Sequence, residues 1–281
     1  ARSEQVSDDV CTLRILCNDF LATKQAKLDA GELSPRSFRD YFKTCEMLID
    51  HFGKDCIVDE LKPIDFRPFR TKLAKRFSPV SLRNEINRVR IVFNHGDRSE
   101  LIDKPVRFGA YFDKPAEKAI RRQQNTAGAK LFTRDEVLRI LDASDTQMKA
   151  MVLLGLNCAY GNTDIAHLRK SKVDLKTGWI DFPRVKTEIA RRSPLWPETV
   201  DALQQALQER PEPKDESSAG LVFLTRLGSP WVRVRTKADD KIVVIDALTQ
   251  KFSKLLKRLG INGRTRIGFY TLRHTFATVA A

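Results

Sequence analysis

The first hundred residues place their apolar side chains at helical spacing. In SDDVCTLRILCNDFLATKQAKL, which starts at Ser7, apolar residues recur every three or four positions, and Ser7 and Asp8 are suited to cap a helix. Two later segments open with a Ser-Pro pair, at Ser34 and Ser78, so that a capping side chain precedes a proline at the first helical position. With a shorter helix predicted over residues 65–75, the pattern predicts an all-α unit of four helices.

The helix predicted after Ser78 has two different faces. Its apolar face, which we expect to be buried, consists of Leu82, Ile86, Val89 and Phe93. Beside it runs a row of hydrogen-bond donors that consists of Arg83, Asn87, Arg90 and Asn94. Such a row is suited to contact phosphates and base edges in a DNA groove. A solvated helix face has the same pattern, so both interpretations stay open.

Helical periodicity fades over residues 104–130. This stretch holds seven basic and two acidic residues, with Pro and Gly scattered through it. The composition predicts a basic interdomain linker in which Arg121 and Arg122 contact phosphates, although a solvated linker has the same composition. The predicted organisation is therefore an N-terminal domain over residues 1–103, this linker, and a C-terminal domain over residues 131–281.

The pattern beyond residue 130 mixes helices with short strands. Thr133 and Glu136 predict a capping box, and Thr163 is expected to cap a short helix. The segments WIDFP and RRSPLW predict a hairpin around RVKTEIA, and LVFLT predicts a further strand. Helices are predicted over MKAMVLLGLNCAYG, PETVDALQQAL and ALTQKFSKLLKRLG. The predicted fold class is an all-α domain followed by a mixed α+β, mostly helical domain with a small antiparallel sheet.

Charge gives the first indication of function. Fifty Lys and Arg residues stand against thirty-six Asp and Glu residues, a net charge of +14, which favours a polyanionic partner. We expect no membrane span and no secretion signal. The five cysteines lack paired spacing, as expected of reduced thiols in a cytoplasmic protein, and the four histidines lack metal-ligand spacing, so we expect neither metal nor cofactor.

Three motifs resemble the tyrosine recombinases of the phage integrase family. The segment TLRHTFAT, which contains Arg273, resembles the second catalytic box, written His-x-x-Arg-His-Thr. Lys186 lies on the predicted hairpin before a strand that ends in Pro-Leu, and LGLNCAYGNTDIAHLRKSKVDL resembles the first box. The segments FYTLRHTF and CAYGNTDIAHL resemble integrase-like proteins of Planctomycetes in particular. The resemblance covers almost the whole chain.

The resemblance implies a core-binding, SAM-like N-terminal domain and a catalytic C-terminal domain. It implies site-specific recombination of double-stranded DNA through a 3′-phosphotyrosine intermediate, by homo-oligomers that work as tetramers on two duplexes. Arg273 matches the second catalytic arginine, whose planar fork holds two phosphate oxygens. Lys186 matches the lysine that protonates the leaving oxygen. Arg191 and Arg192 stand nearby in sequence as further DNA contacts.

Two positions depart from the family's pattern. Tyr270 replaces the histidine three residues before Arg273, and a phenol donates a hydrogen bond but is a poor general base. The first catalytic arginine precedes a Ser/Thr-Glu/Asp pair, so its place falls to Gly161. Asn162 or a backbone N–H at the following helix start would substitute for it only in part.

The family's remaining catalytic parts are expected beyond residue 281. They are a third-box His or Trp and the tyrosine nucleophile, and none of the four tyrosines lies after Arg273. We therefore expect the chain to lack its C-terminal end and to be inactive alone. Two other interpretations stay open, namely a DNA-binding protein with a degenerate recombinase site and an RNA-binding or structural basic protein.

Overall fold

The chain divides into two compact units. A computed structural model describes residues 10–126, 130–236, 242–261 and 267–279. Within it, contacts between residues separate Ala1–Thr126 from Ala127–Ala281. Each unit buries its own cluster of apolar side chains, as separate domains do. No helix in the described parts of the chain is long and apolar enough to cross a membrane.

The described part of the N-terminal unit consists of helices and loops, with one isolated bridge between Thr12 and Ile57. Its helices are α1 Leu13–Asp29, α2 Pro35–Phe52, α3 Phe66–Arg76, α4 Pro79–Arg98 and α5 Glu117–Thr126. The side chains of Ser34 and Ser78 cap α2 and α4 as predicted. The start of α1 differs, because Ser7 and Asp8 lie outside the described residues and Thr12 caps the helix by accepting the Ile15 N–H at 3.4 Å.

The predicted apolar face of α4 forms part of the N-terminal core. All four residues of that face are buried, with Phe93 only 1% exposed. Phe66 and Phe69 of α3 are buried beside them, and the Phe66 and Phe93 rings meet edge-on at 5.7 Å between centroids. Edge-to-face aromatic contacts add to the free energy gained from burial. The core therefore fixes α3 against α4.

Most of the predicted linker packs within the N-terminal unit. Phe112 lies in a 3₁₀ turn, Ala110–Phe112, and is fully buried. Its ring lies 5.5 Å from the Phe66 ring and 5.8 Å from the Phe69 ring. Helix α5 follows and buries Ile120. Val106, Phe108 and Phe112 thus share the N-terminal core, and α5 belongs to the same compact unit. The apolar residues that anchor this stretch are too few and too irregularly spaced to produce a periodic pattern.

The C-terminal unit surrounds a buried helix with further helices and two small antiparallel sheets. Its helices are α6 Arg134–Asp142, α7 Thr146–Asn157, α8 Asn162–Ala166, α9 Pro197–Gln208, α10 Glu216–Ala219, α11 Ala247–Arg258 and α12 Thr271–Val279. One sheet has the order β1 Val173–Asp174, β2 Trp179–Asp181, β3 Arg192–Pro194. The other pairs β4 Val232–Thr236 with β5 Ile242–Asp246.

Several sequence predictions for this unit are confirmed. Thr133 and Glu136 form the reciprocal capping box of α6. Strands β2 and β3 pair antiparallel, with Ile180 opposite Ser193. Helices α7, α9 and α11 overlap the three segments that were predicted to be helical.

Other predictions for this unit are wrong. The segment LVFLT makes one isolated bridge, between Leu221 and Arg169, and otherwise crosses the core without strand pairing. Thr163 lies inside α8, whose N-cap is Gly161. Helix α10 lies within the polar stretch 209–219, whose composition indicates a loop. Burial rather than pairing accounts for the apolar run of LVFLT.

Close packing of α12 against α7 positions the last described helix. A Cβ atom added at Gly155 would lie 3.0 Å from Cβ and Cδ1 of Leu272, which is fully buried. The Phe132 N–H donates to Thr275 Oγ1 at 3.1 Å and ties α12 to the segment before α6. These contacts set where the side chains of α12 lie.

Candidate active site and nucleic-acid interface

Arg273 reaches from α12 to the loop that follows α7. Its Nη1 donates to the carbonyl of Ala159 at 3.3 Å, and its guanidinium carbon lies 5.8 Å from the centre of the Tyr270 ring. Ala159 has a φ of +54°, a left-handed conformation that costs a non-glycine residue free energy and is common at functional sites. The arginine is half-buried, so its charge is held in place near the surface.

Tyr270 and Gly161, the two departures from the motif, lie against each other. Ring atoms of Tyr270 are 3.4 and 3.5 Å from the position that a Cβ atom at Gly161 would take. The Tyr270 side chain is 47% exposed, and its ring meets His274 edge-on at 5.4 Å. The phenol therefore covers the place where the first-box side chain would begin, beside Arg273.

Asp164 connects the start of α8 to the hairpin. Its Oδ2 accepts the Gly161 N–H at 3.1 Å and lies 3.5 Å from Nη1 of Arg191. Its Oδ1 accepts the Val185 N–H at 3.4 Å. The carboxylate is nearly buried, with 9% of its side chain exposed. One acidic side chain thereby fixes the backbone next to Lys186 relative to the segment that Arg273 contacts.

Lys186 lies in the turn between β2 and β3. The turn is closed by the Arg184 N–H, which donates to the Ile189 carbonyl at 2.9 Å, and by the Glu188 N–H, which donates to the Arg184 carbonyl at 2.7 Å. Glu188 has a φ of +54°. The lysine side chain is exposed, as a group that contacts a large ligand requires.

Arg191 and Arg192 lie in different surroundings although they are adjacent. The Arg191 guanidinium carbon is 3.8 Å above the centre of the Tyr160 ring, and its Nε donates to the Phe182 carbonyl at 3.3 Å. Tyr160 is fully buried, and this burial raises the pKa of its phenol. Arg192 is exposed, with its guanidinium 4.5 Å from the centre of the Trp179 ring. Arg192 thus faces solvent, whereas Arg191 packs over Tyr160 and keeps 19% of its side chain exposed.

The predicted donor row on α4 is only partly free. Arg83 pairs with Glu117 at 3.2 Å, and Arg90 donates to the Phe112 carbonyl at 3.1 Å. Both guanidinium groups thus face the segment 104–126, which the sequence pattern did not predict to pack here. Asn87 is half-buried and Asn94 exposed, and both Arg121 and Arg122 are exposed on α5.

Helix α3 carries a basic surface that the sequence pattern did not single out. Five of its eleven residues are Arg or Lys, and four of these five are exposed. The basic residues are Arg67, Arg70, Lys72, Lys75 and Arg76. A cleft of about 420 Å³ lies along the helix between Arg67 and Lys75. The signal that would have found this surface is the run FRPFRTKLAKR, which has no acidic residue.

Residues 130–280, which contain Arg273, Lys186, Tyr270 and Asp164, match the sequence profile of the phage integrase family. The chain belongs to this family. A comparison with curated protein sequences finds no match. Phage integrases of the tyrosine recombinase type cut and rejoin DNA strands at specific sites through a 3′-phosphotyrosine intermediate. The function of this chain is therefore site-specific DNA recombination, and its activity is DNA strand transfer.

Solved integrase structures share the fold of this phage integrase. The Tn1549 transposon integrase, in complex with transposon right end DNA, is 15% identical with a TM-score of 0.72, over 96% of this chain and 86% of that one. A lambda integrase dimer bound to a COC′ core site is 12% identical with a TM-score of 0.69, over 95% and 89%. A lambda integrase tetramer bound to a Holliday junction is 12% identical with a TM-score of 0.68, over 98% and 74%.

The buried position of Asp164 in this phage integrase leads to a stability prediction. Replacing Asp164 with Asn should lower the free energy of unfolding by about 2 kcal/mol, because the Arg191 charge then loses its carboxylate partner. This loss is smaller than the loss expected when a closely paired buried ion loses its partner, because the contact between Asp164 and Arg191 is long. Urea unfolding of the 281-residue chain measures it, with the exposed Asp181→Asn as the control. Equal midpoints for the two variants would contradict the prediction.

Proposed function

We propose that Arg273 and Lys186 hold the phosphate at which the DNA strand is cleaved. The observation that carries this proposal is that both residues are positioned by one short stretch, residues 159–164. Arg273 contacts the carbonyl of Ala159, and Asp164 holds the backbone N–H of Val185, the neighbour of Lys186. A phosphodiester that lies over this stretch would meet a guanidinium on one side and an ammonium on the other.

The side chains have different roles in this proposal. Arg273 neutralises the charge that grows on the nonbridging oxygens, because its fork contacts two oxygens at once. Lys186 donates a proton to the leaving 5′ oxygen, which its exposed position in the turn allows it to approach. Tyr270, half-exposed beside Arg273, donates a hydrogen bond to a phosphate oxygen.

The N-terminal unit is proposed as the core-binding domain. The basic surface on α3 supplies its main phosphate contacts. Further DNA contacts of this unit are Asn87, Asn94, Arg121 and Arg122. In the C-terminal unit, Arg192 is a further DNA contact. The ion pairs of Arg83 with Glu117 and of Arg90 with Asp113 are partly exposed and contribute little free energy, so DNA phosphates can replace the carboxylates. On DNA, we propose that copies of the chain assemble as tetramers in the cytoplasm. Placement among planctomycete proteins stays a prediction.

A DNA-binding protein without strand cleavage is the second candidate. Gly161 favours it, because glycine supplies no charge to a transition state that the family stabilises with arginine. Tyr270 favours it as well, since its phenol is a poor general base at neutral pH.

Neutral phosphate analogues test whether Arg273 holds a phosphate. Footprinting first defines the protected duplex, and each protected phosphate is then replaced in turn by a methylphosphonate, which carries no charge. We expect one position at which the replacement weakens binding of the natural chain more than binding of the Arg273→Ala variant. A variant that responds like the natural chain at every position would overturn the proposed site.

The four tyrosines predict that the 281-residue chain forms no covalent link to DNA. Tyr160 is fully buried, and Tyr270 lies against Gly161, beside the arginine that is to hold the phosphate. Tyr41 and Tyr111 lie in the N-terminal unit. A nicked duplex that traps phosphotyrosine should therefore give no denaturant-resistant adduct on a gel. An adduct that Tyr270→Phe removes would identify Tyr270 as a nucleophile and contradict its supporting role.

A further inference from the structure

Two guanidinium groups converge on the stretch from Ala159 to Gly161. Arg273 contacts it through the Ala159 carbonyl, and Arg191 lies 3.8 Å above the Tyr160 ring. Arg191 and the Gly161 N–H also share one oxygen, Oδ2 of Asp164, at 3.5 and 3.1 Å. Arg191 therefore places its charge beside Gly161, which has no side chain of its own.

One end of Arg191 is without a partner. Its Nη2 is buried and has no hydrogen-bond acceptor among the described residues, and the same holds for the hydroxyl of Tyr160 beneath it. A buried N–H group without an acceptor costs free energy, and that cost is large when the donor is charged. An anionic oxygen bound at this place would remove the cost. The Asp164 carboxylate contacts the other terminal nitrogen, Nη1, at 3.5 Å, and its Oδ2 already accepts the Gly161 N–H.

The two sides of Gly161 have different neighbours. Ring atoms of Tyr270 lie 3.4 and 3.5 Å from where a Cβ atom at position 161 would be, an ordinary van der Waals contact. Oδ2 of Asp164, which also lies 3.5 Å from Nη1 of Arg191, is 3.9 Å from the same point. Arg191 directly precedes β3 in the hairpin, 30 residues after Gly161 along the chain.

We propose that Arg191 supplies the positive charge that Gly161 cannot, so that the phosphate site consists of Arg273, Lys186 and Arg191. This inference rests on the proposed function. It assigns to Arg191 the same phosphate that Arg273 holds, and it makes Tyr160, through ring stacking, the residue that positions the Arg191 guanidinium.

The methylphosphonate position identified with Arg273 provides the test. With the natural phosphate, Arg191→Met should weaken duplex binding about tenfold, which is the weight of one charge-assisted hydrogen bond. With the methylphosphonate at that position, the same substitution should change binding less than twofold, because the charge it serves is gone. A tenfold loss with both duplexes would show that Arg191 is only structural and would overturn the proposal.

A second arm returns the charge to position 161. Gly161→Arg introduced into the Arg191→Met variant should restore most of the lost affinity. The matched control is Arg192→Met, which removes the same charge one residue away on the exposed face. Gly161→Arg should not restore affinity there, and equal rescue of both variants would contradict the proposal, since it would indicate a general effect of charge.

Thermal unfolding of each variant separates loss of fold from loss of contact. If Arg191→Met does not fold, Arg191→Lys takes its place, because lysine keeps the charge but not the planar fork. The methylphosphonate penalty should then be smaller than in the natural chain, and an unchanged penalty would overturn the proposal. A position that responds to Arg273 and not to Arg191 refutes this inference alone, whereas a duplex with no position that responds to Arg273 refutes the proposed function.

Discussion

We expect the affinity of the chain for duplex DNA to fall about 10³- to 10⁵-fold between ~50 and ~200 mM salt, as roughly six to ten phosphate contacts require. The reason is the release of counterions from DNA by a protein with a net charge of +14. The basic surface on α3 and the exposed arginines of α5 supply enough cations for this number of contacts. Fluorescence anisotropy with a labelled duplex at several salt concentrations measures the slope.

Two single substitutions show which surface carries this dependence. Lys72→Gln, on the exposed side of α3, should reduce the slope of log affinity against log salt by about 1. Lys43→Gln removes the same charge from α2, where Asp40, Glu46 and Asp50 balance the basic residues, and should leave the slope unchanged. An affinity without salt dependence would contradict DNA binding, and equal slopes for both variants would contradict the assignment to α3.

The second large effect is expected at Phe112. Replacing it with Ala should lower the free energy of unfolding of the N-terminal unit by about 3–5 kcal/mol, the cost of deleting a fully buried aromatic ring. The ring packs against Phe66, Phe69 and Phe108, with centroids 5.5, 5.8 and 5.6 Å away. The substitution would remove these contacts and leave a cavity between α3 and the segment 104–126.

Tyr111 provides the matched control, because it is the neighbouring aromatic residue and is 46% exposed. Tyr111→Ala should cost less than about 1 kcal/mol. Urea unfolding followed by circular dichroism compares the two variants. A small effect of Phe112→Ala, similar to that of Tyr111→Ala, would mean that residues 104–126 are a separate linker rather than part of the N-terminal core.

Local signals predicted most of the helices, because the information for them lies within a few residues. The Ser-Pro starts at Ser34 and Ser78 and the capping box at Thr133 each satisfy backbone groups next to them. The segment LVFLT was misjudged, because a short apolar run has the same pattern in a strand and in a buried extended segment. The β4–β5 pair was missed, since its alternation of Val and Arg, from Val232 to Arg235, is short.

Only those site residues that belong to the family's motifs could be predicted from the sequence. Arg273, Lys186 and Tyr270 follow from the resemblance, which also located Gly161. The surroundings of Arg191 do not follow from sequence, because its partner Asp164 lies 27 residues away and the pairing depends on how the hairpin folds back. The ion pairs of Arg83 and Arg90 with segment 104–126 were unpredictable for the same reason.

Because Gly155 and Leu272 are in close contact, a substitution at position 155 can change the reaction rate from a distance. Leu272 is the neighbour of Arg273 in sequence, so a bulkier residue at 155 displaces the guanidinium without touching DNA or any charged group. A displacement of 1 Å at a reacting centre costs about 10²-fold in rate. Evolution of this chain toward faster or slower recombination can therefore proceed through an apolar contact inside the protein.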